Sequence, residues 1–517
     1  MSRSNRSVMA LSLGVLAVWA SLGVTPASGD VRLPHVIGSH MVLQRDMPLP
    51  IWGWADPGEQ VTVKLAGHEA AAAADANGAW RVKLPAAKAG GPCQMTVSGK
   101  NTIQLTDILI GEVWVCSGQS NMEMGMTKIA NAKKEVAAAN CPKIRLFQVP
   151  HRPSGYPESD INVPWQLCTP KTVAMGQYGG FSAAGYFFGR MLHKELNVPI
   201  GLIDTSWGGT RIEPWTPPAG FASVPKLQGI AKSIPVHDAN HKRAMDQTLK
   251  QIEAWLPGAK QALAAGKRVS PPPGWPRHAL NHHGTPTGLY NGMVHPIVPF
   301  AIRGALWYQG ESNRGEAMMY FEKMKALING WRQVWGQGDF PFYFVQLAPF
   351  RYQGDPVALP MMWEAQTASL SIPNTGMAVT VDIVHNIADI HPINKQDVGK
   401  RLALWALAKV YGKDGLVYSG PLYKSMSVES NAIRITFDHV GGGLASRDDK
   451  PLTCFQIAGA DKKFVPAQAR IDGETVVVLA EGVAAPAAVR FAWHQEAVPN
   501  LMNKEGLPAS PFRTDRW

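Results

Sequence analysis

The middle of the chain, from Ile108 to Tyr411, alternates short apolar runs with stretches of helical periodicity, and this alternation limits the possible folds most strongly. The runs are rich in β-branched and aromatic residues, which is typical of buried parallel strands; they lie at residues 108–115, 144–147, 200–203, 305–308, 342–345 and 377–380. Helical spacing is found from Ala183 to Glu195, Ala317 to Trp335 and Lys395 to Tyr411. This order predicts an α/β domain with a doubly wound parallel sheet, helices on both faces and all strand carboxyl ends at one edge.

Short alternating strands separated by turn residues flank this domain on both sides. Turns at Asp56-Pro57-Gly58 and Asn77-Gly78 divide the strands of residues 30–107. Turns at Gly441-Gly442-Gly443 and Asp472-Gly473 divide those of residues 413–517. Such patterns predict an N-terminal β-sandwich domain at 30–107 and a C-terminal β-rich domain at 413–517, with the α/β domain at 108–412 between them.

The first 29 residues have the pattern of an export signal. Arg3 and Arg6 precede an apolar stretch from Val8 to Val24, and small residues follow it up to Gly29. This pattern predicts a signal peptide at 1–29, with a single membrane anchor as the alternative. We therefore expect a secreted or periplasmic protein that has no contact with the membrane after cleavage.

Charge and cysteine content exclude two further classes. The formal charge is +11, but the basic residues are scattered, so no nucleic-acid partner is expected. The five cysteines, at 93, 116, 141, 168 and 454, are too widely spaced for a disulfide framework. A bridge between Cys141 and Cys168 remains open, because sequence alone does not show that the two residues are close.

The strongest candidate site is Gly118-Gln119-Ser120-Asn121-Met122, directly after the first apolar run. It predicts a serine on a turn at the carboxyl end of a strand, where ligands of α/β sheets bind. A helix N-cap is the alternative role for Ser120. Met122 stands where the nucleophile turn of an α/β-hydrolase has its second glycine, so that family is disfavoured.

Three later stretches strengthen this interpretation: Trp207 to Trp215 (WGGTRIEPW), Trp307 to Asn313 (WYQGESN) and Asp389 to Pro392 (DIHP). Together with the Ser120 segment they resemble the SGNH (GDSL-like) hydrolases, and within them the sialate O-acetylesterase-like carbohydrate esterases. A weaker similarity extends through most of residues 30–517. The resemblance implies an SGNH-type sheet and a carbohydrate O-acetylesterase. No cofactor is predicted, because the sequence has no His-Glu-x-x-His motif, phosphate-binding glycine-rich loop or dinucleotide-binding fingerprint.

The resemblance also assigns catalytic roles. A serine hydroxyl needs a base to remove its proton, and imidazole suits that role near neutral pH. Ser120 is then the nucleophile, His391 the base and Asp389 the acid that orients it. Only one residue separates Asp389 from His391, where most SGNH enzymes have two. Asp389, Asp382 and a main-chain carbonyl therefore stay open as the partner of the imidazole, and His385 is the rival base.

Acyl transfer further requires hydrogen-bond donors for the oxyanion. The main-chain N–H of Ser120 is one candidate. Gly208 or Gly209 is another, since a residue without Cβ lets the main chain approach the substrate. By resemblance the third donor is the side chain of Gln309, with Asn313 as the alternative.

Four further residues are predicted to bind substrate: Arg211, Trp215, Asn291 and Glu311. The expected substrate is an acetylated oligosaccharide, from xylan or xyloglucan, or acetylated sialic acid, whose carboxylate would need a cation such as Arg211. By resemblance, Glu213 and Glu311 are expected to form structural pairs, with Arg211 as a candidate partner, and not to act as the paired acids of a glycosidase. His282 and His283 lack a third ligand, so no metal site is predicted. A non-catalytic carbohydrate-binding protein and a lipase-like esterase are the alternatives.

An insertion interrupts the α/β domain at about residues 216–288. Helical spacing from Asn240 to Ala265 is followed by the proline-rich segment 271–276, which predicts an irregular loop. Because the insertion begins and ends next to blocks of the resemblance, we expect it to overhang the site and to select the glycan. A passive surface hairpin is the alternative.

Overall fold

The computed structural model describes residues 30–517, so the predicted signal peptide at 1–29 lies outside the described residues. The N-terminal region holds six short strands: β1 (Val42–Gln44), β2 (Leu49–Trp54), β3 (Gln60–Leu65), β4 (His68–Ala73), β5 (Ala79–Leu84) and β6 (Gly90–Ser98). Most pair antiparallel, as β2 does with β5 and β3 with β4 and β6.

The central region alternates strands with helices. In chain order its elements are β7 (Thr102–Gly118), α1 (Ser120–Glu123), α2 (Ala132–Ala137), β8 (Cys141–Gln148), β9 (Gln166–Cys168), α3 (Pro170–Ala174), α4 (Ala183–Leu196), β10 (Ile200–Asp204), α5 (Pro218–Ala222), α6 (Gln228–Ala264), β11 (Gly304–Tyr308), α7 (Met319–Trp335), β12 (Phe342–Val345), α8 (Ala358–Ala368), β13 (Thr375–Ala378) and α9 (Lys395–Lys409).

The central sheet has the order β13-β12-β11-β7-β10-β8-β9, and its neighbours are parallel except for β9, which runs antiparallel to β8. From β7 the chain first builds one side of the sheet and then crosses to the other, so β7 lies at the switch point. Ligands of open α/β sheets bind outside the strand ends at such a point. Ser120 follows the end of β7, which is paired with the end of β11.

Helices cover both faces of this sheet. Neighbouring side chains of a strand point to opposite faces, and on β12 Phe342 packs against Trp331 of α7, whereas Tyr343 packs against Trp405 of α9. The predicted α/β architecture with a mainly parallel central sheet and β-rich regions on both sides is confirmed.

Strand β7 joins two regions that the sequence predicts as separate domains. Its first half pairs antiparallel with β6, and its second half enters the central sheet. Residues 107 and 108, the predicted domain limit, both lie inside it. Side chains of the N-terminal strands and of the central sheet share one hydrophobic core, so the two regions pack as one unit.

The C-terminal region has a separate core, to which two four-stranded antiparallel sheets and one two-stranded antiparallel sheet contribute side chains. Its strands are β14 (Leu422–Glu429), β15 (Ala432–Asp438), β16 (Leu444–Ser446), β17 (Phe455–Gly459), β18 (Val465–Pro466), β19 (Gln468–Asp472), β20 (Thr475–Leu479), β21 (Pro486–Phe491), β22 (Leu501–Asn503) and β23 (Phe512–Arg513). Arg513 forms a two-pronged ion pair with Glu364 of α8, at 2.9 and 3.0 Å, which ties this region to the central domain.

The insertion is dominated by α6, a helix of 37 residues that includes Pro235 and Pro257. It begins earlier than the sequence predicts, and residues 267–278 after it form neither helix nor strand. Within residues 30–517, no helix combines the length and the apolar character needed to cross a membrane.

Candidate active site

The structure brings Ser120 and His391 together. Ser120 starts α1 directly after β7, and His391 lies in the loop between β13 and α9, 271 residues further along the chain. The hydroxyl oxygen of Ser120 and Nε2 of His391 are 2.9 Å apart. This is the distance at which an imidazole can accept the proton of a serine.

Asp389 lies next to the same imidazole. Its Oδ1 accepts a 2.9 Å hydrogen bond from the main-chain N–H of His391 and lies 3.7 Å from Nδ1 of that residue. The 3.7 Å separation is an ion-pair distance, longer than a hydrogen bond. The rival base His385 approaches the other oxygen of Asp389, at 3.5 Å, and not Ser120. Asp382 forms two 2.6 Å bonds to Arg401, so its carboxylate is engaged elsewhere.

The surroundings of His391 favour a neutral ring. Burial lowers the pKa of His391, the positive charge of Lys395 lowers it further, and Asp389 acts in the opposite direction. Tyr178 packs its ring edge-on against the imidazole, with the ring centres 5.7 Å apart. A base must be unprotonated before it can accept a proton, so these surroundings suit His391 to that role near neutral pH.

Gly208 lies against Ser120 and Glu123, and a side chain at this position would be tightly packed. A Cβ on Gly208 would approach Cβ of Ser120 to 3.2 Å. The main-chain N–H of Gly208, however, donates a 2.6 Å hydrogen bond to Oε2 of Glu123. This predicted oxyanion donor is therefore occupied by a carboxylate. Gly209 has a positive φ of 73°, with open space where a Cβ would lie.

The side chains of Gln309 and Asn313 do not face an oxyanion, and here the structure corrects the prediction. Both are fully buried. Nε2 of Gln309 has three acceptors within 3.1 Å, on Gln119, Thr210 and Asn313. Nδ2 of Asn313 donates to Glu213 at 3.0 Å and to Glu316 at 3.1 Å. Both amides hold the segments under the serine together, because every donor already has a buried acceptor.

Trp215 and Asn291, both predicted to bind substrate, are also part of the scaffold. Trp215 is 0% exposed, and its indole N–H donates to the Thr210 hydroxyl at 3.0 Å. Asn291 is buried, and its amide donates to the carbonyls of Ser154 and Gly155, both at 3.2 Å. Neither side chain is presented to a ligand, since each is enclosed by its packing partners.

Arg211 is partly exposed but already paired. It forms ion pairs with Glu316 and, at 3.1 Å, with Glu213, and donates to the carbonyl of Ser312 at 3.0 Å. Lys323 lies 2.6 Å from the same two carboxylates. Burial raises the pKa of Glu213, but the contacts with Lys323, Asn313 and Arg211 outweigh this effect and lower the pKa to about 2. Glu213 is thus an ionised member of a structural network near neutral pH.

Two residues near the serine, Glu123 and His151, were not predicted from sequence. Glu123 lies one turn after Ser120 on α1, and its Oε1 is 3.2 Å from Nε2 of His151. The ring of His151 stacks on Trp207, with centres 4.1 Å apart and planes 4° apart, and His283 of the insertion stacks on Trp207 at 5.2 Å. Glu123 directly follows the Gly118–Met122 block and could have been noticed there, whereas no motif marked His151.

The two adjacent histidines of the insertion, His282 and His283, pack against each other with ring centres 4.2 Å apart. In the part of the chain that the structure describes, no cluster of three or more His, Cys, Asp or Glu side chains could hold a metal ion.

A serine at the end of the central strand of a parallel sheet, within hydrogen-bond distance of a histidine that has a carboxylate beside it, defines a site of the serine hydrolase type. Comparison with known proteins specifies the family. The chain belongs to the carbohydrate esterase family described as sialic acid-specific acetylesterase, whose profile matches residues 110–249 and 275–408. The resemblance inferred from the sequence blocks is thereby confirmed.

Individual relatives agree with this assignment. The sialate O-acetylesterase of Mus musculus is 31% identical over 93% of this chain and 94% of its own length, and that of Homo sapiens is 29% identical over 96% and 94%. A crystal structure of a carbohydrate acetylesterase from Xanthomonas citri is 37% identical, with a TM-score of 0.79, and covers 94% of this chain and all of its own. These findings support carbohydrate or sialate O-acetylesterase activity. Residues 250–274, which separate the two matched segments, lie within the insertion.

Proposed function

We propose that this protein is an exported SGNH-type serine esterase that removes acetyl groups from O-acetylated carbohydrates through an acetyl-serine intermediate. The observation that carries the proposal is the 2.9 Å contact between the Ser120 hydroxyl and Nε2 of His391, with Asp389 beside the ring. The acetylesterase family to which the chain belongs indicates that the bond broken is an acetyl ester.

The reaction follows from these positions. His391 takes the proton of Ser120 while the serine oxygen bonds to the acetyl carbonyl carbon, which gives a tetrahedral oxyanion. Collapse of this intermediate breaks the bond to the sugar oxygen, and His391 returns the proton to that oxygen. Water, deprotonated by His391, then attacks the acetyl-serine and releases acetate. Asp389 favours the imidazolium that forms in each half of the reaction.

The oxyanion requires two donors, one of which is paired with a carboxylate in the free enzyme. The N–H groups of the first turn of a helix have no partner within the helix, which makes the Ser120 N–H one donor. The Gly208 N–H becomes the second when Glu123 withdraws from it. Exchange of one anionic acceptor for another at the same amide avoids an unpaired donor at any stage.

Two substrate groups compete. The named activity of the mammalian relatives favours acetylated sialic acid. The charges around the site favour uncharged glycans such as acetylated xylan or xyloglucan, because Arg211 is neutralised by two carboxylates and both Glu123 and Asp389 lie close to Ser120. We place the uncharged glycans first.

Acetate release from a panel of acetylated sialosides and plant oligosaccharides tests the proposal, with the Ser120→Ala variant as control. We expect acetate from the panel with the wild type and none above background with the variant. Binding without turnover, or full activity of Ser120→Ala, would instead support a non-catalytic carbohydrate-binding protein. Faster cleavage of butyrate than of acetate esters would support a lipase-like enzyme.

Export is tested separately. Expression of the full chain and of a chain without residues 2–29 in a Gram-negative host should place only the full chain in the periplasm or medium. Retention of the full chain in the membrane fraction would indicate the anchor instead.

A further inference from the structure

Asn121, the residue after Ser120, connects three other segments of the site through its buried carboxamide. Its Nδ2 donates to Oε1 of Glu311 at 2.6 Å and to the carbonyl of Ile390 at 3.0 Å. Its Oδ1 accepts from Nζ of Lys395 at 2.6 Å. Since Ile390 directly precedes His391, one side chain joins the turn that carries the serine to the loop that carries the imidazole.

The chemistry of the partners fixes the orientation of this carboxamide. A lysine ammonium can only donate hydrogen bonds, and a main-chain carbonyl can only accept them. If the amide were rotated by 180°, its NH₂ group would face the Lys395 ammonium, and its oxygen would face Glu311 and the Ile390 carbonyl. With Asn121 and Lys395 both buried, water cannot relieve such a conflict.

Lys395 is a fully buried amine with few partners. Its Nζ lies 5.0 Å from the centre of the Tyr308 ring, and Asn121 is its one hydrogen-bonded side-chain partner among residues 30–517. Glu311 lies across the Asn121 bridge, where burial raises its pKa, and its Oε2 has no protein partner within the described chain. A buried amine is costly unless neighbouring groups stabilise it, so its place in the site needs an explanation.

We infer that Asn121 and Lys395 are positioning residues of the esterase reaction: the Asn121 carboxamide holds the His391 loop against the Ser120 turn, and Lys395 fixes that carboxamide and places a positive charge beside the imidazole. This inference rests on the proposed function, in which Ser120 is the nucleophile and His391 the base.

The electrostatic effect has a definite sign. The charged and titratable groups around His391 come from several elements: Asp389 and His385 in its own loop, Lys395 at the start of α9, Tyr178 before α4, Glu123 on α1 and Glu311 after β11. Lys395 lowers the pKa of His391, whereas Asp389 raises it. Burial lowers the pKa of Lys395 itself to about 7, so the amine is charged in the more acidic range where His391 titrates.

The test compares the wild type with Lys395→Met, Lys395→Gln and Asn121→Ala, and with Lys400→Met as a control on the exposed side of the same helix. Circular dichroism verifies folding. Acetate release gives kcat, KM and the pH profile of kcat/KM. An NMR titration follows the His391 imidazole, whose signal is identified by its loss in His391→Asn, and this measurement needs no activity.

For Lys395→Met we expect kcat to fall about 10- to 100-fold, with little change in KM, and the pKa of His391 to rise. Lys395→Gln keeps a donor for Asn121, so it should show the same rise with a smaller loss of kcat. Asn121→Ala should lose kcat with a smaller shift, and Lys400→Met should match the wild type.

An unchanged imidazole titration in both Lys395 variants, or wild-type kcat in folded Asn121→Ala, would overturn the inference. If Lys395→Met does not fold, the titration of Lys395→Gln decides. Full activity of Ser120→Ala would overturn the proposed function instead, whatever the Lys395 variants do, so the two failures are distinguishable.

Discussion

The carboxylate of Glu123 accepts a 2.6 Å hydrogen bond from the main-chain N–H of Gly208, at the point where a serine esterase needs a free donor for the oxyanion. Both groups lie close to Ser120: Glu123 is on α1, which begins at Ser120, and Gly208 is in the loop after β10. The free protein thus holds a carboxylate where the proposed reaction creates an oxyanion.

The first prediction concerns this bond. Hydrogen bonds to charged acceptors are roughly twice as strong as neutral ones. Glu123→Gln should therefore release the Gly208 amide more readily and raise kcat/KM for acetyl esters by about 3- to 10-fold, because a gain of about 1 kcal/mol is worth that factor. Glu69→Gln, at an exposed carboxylate of β4, is the matched control. A lower kcat/KM in folded Glu123→Gln would show that the carboxylate supports the reaction.

The second prediction separates Asp389 from Asp382. Because Asp389 raises the pKa of His391, Asp389→Asn should move the acidic limb of the kcat/KM profile to lower pH. Loss of ring orientation should also lower kcat, by about 10²- to 10⁴-fold.

Asp382→Asn removes a carboxylate that pairs with Arg401 and should leave the position of the limb unchanged. The same measurement of kcat/KM against pH serves both variants. If only Asp382→Asn shifts the limb, the assignment of Asp389 is wrong.

The third prediction concerns stability. Removal of one partner from a buried ion pair leaves an uncompensated charge and costs about 3–5 kcal/mol. Lys323→Met should lower the free energy of unfolding by that order, since Lys323 contacts Glu213 and Glu316. Lys325→Met, at a more exposed position of α7, should cost less than about 1 kcal/mol. Urea denaturation measures both.

The same network predicts a pH dependence. The pKa of Glu213 is lowered from 4.5 to about 2 in the folded protein. A lowered carboxylate pKa gives stability that is present above the unfolded value and is lost as the pH falls through the folded value. The wild type should therefore lose stability between about pH 4.5 and pH 2, and this loss should be smaller in Glu213→Gln. Equal losses in both proteins would contradict the assignment.

The fourth prediction concerns two thiols. Cys141 and Cys168 are direct cross-strand partners of β8 and β9, and both are free cysteines in the structure. Directly opposed residues of antiparallel strands lie within the Cα separation that a disulfide spans. Burial raises the pKa of Cys168 to about 12, so the reactive thiolate is scarce and oxidation should be slow.

Prolonged incubation with oxidised glutathione, followed by unfolding and alkylation, should leave two fewer reactive thiols in the wild type than in an unoxidised sample. Cys168→Ser should show no such loss. Five reactive thiols in the oxidised wild type would refute the pairing.

The fifth prediction concerns the insertion. His283 stacks on Trp207, two residues from Gly209 and next to Gly208. His283→Ala should raise KM for acetylated oligosaccharides and leave kcat/KM for p-nitrophenyl acetate unchanged. The reason is that a small ester does not reach the stacked rings of His283 and Trp207. His68→Ala on β4 is the control. A parallel loss with both substrates would assign His283 to the stability of the loop.

Local sequence patterns were sufficient for the framework. The predicted helix Ala183 to Glu195 is observed as Ala183–Leu196, and Lys395 to Tyr411 as Lys395–Lys409. Apolar periodicity reports burial directly, which is why these elements were predictable. The domain limit at 107 was harder to place, because a strand that continues from one sheet into another shows no break in its pattern.

The sequence by itself determined the order of strands and helices, the family, and the segments that meet at the edge of the sheet, since these depend on periodicity and on short blocks of residues. Only the tertiary structure decided which side chains of those blocks face the serine. Gln309, Asn313 and Trp215 belong to the blocks yet are buried by packing, whereas His151 and Lys395 lie outside them and are brought in by the fold. The physical reason is that contacts between distant segments determine which side chains are buried and which partners they bond to. The residues that neighbour a position along the chain do not indicate these contacts.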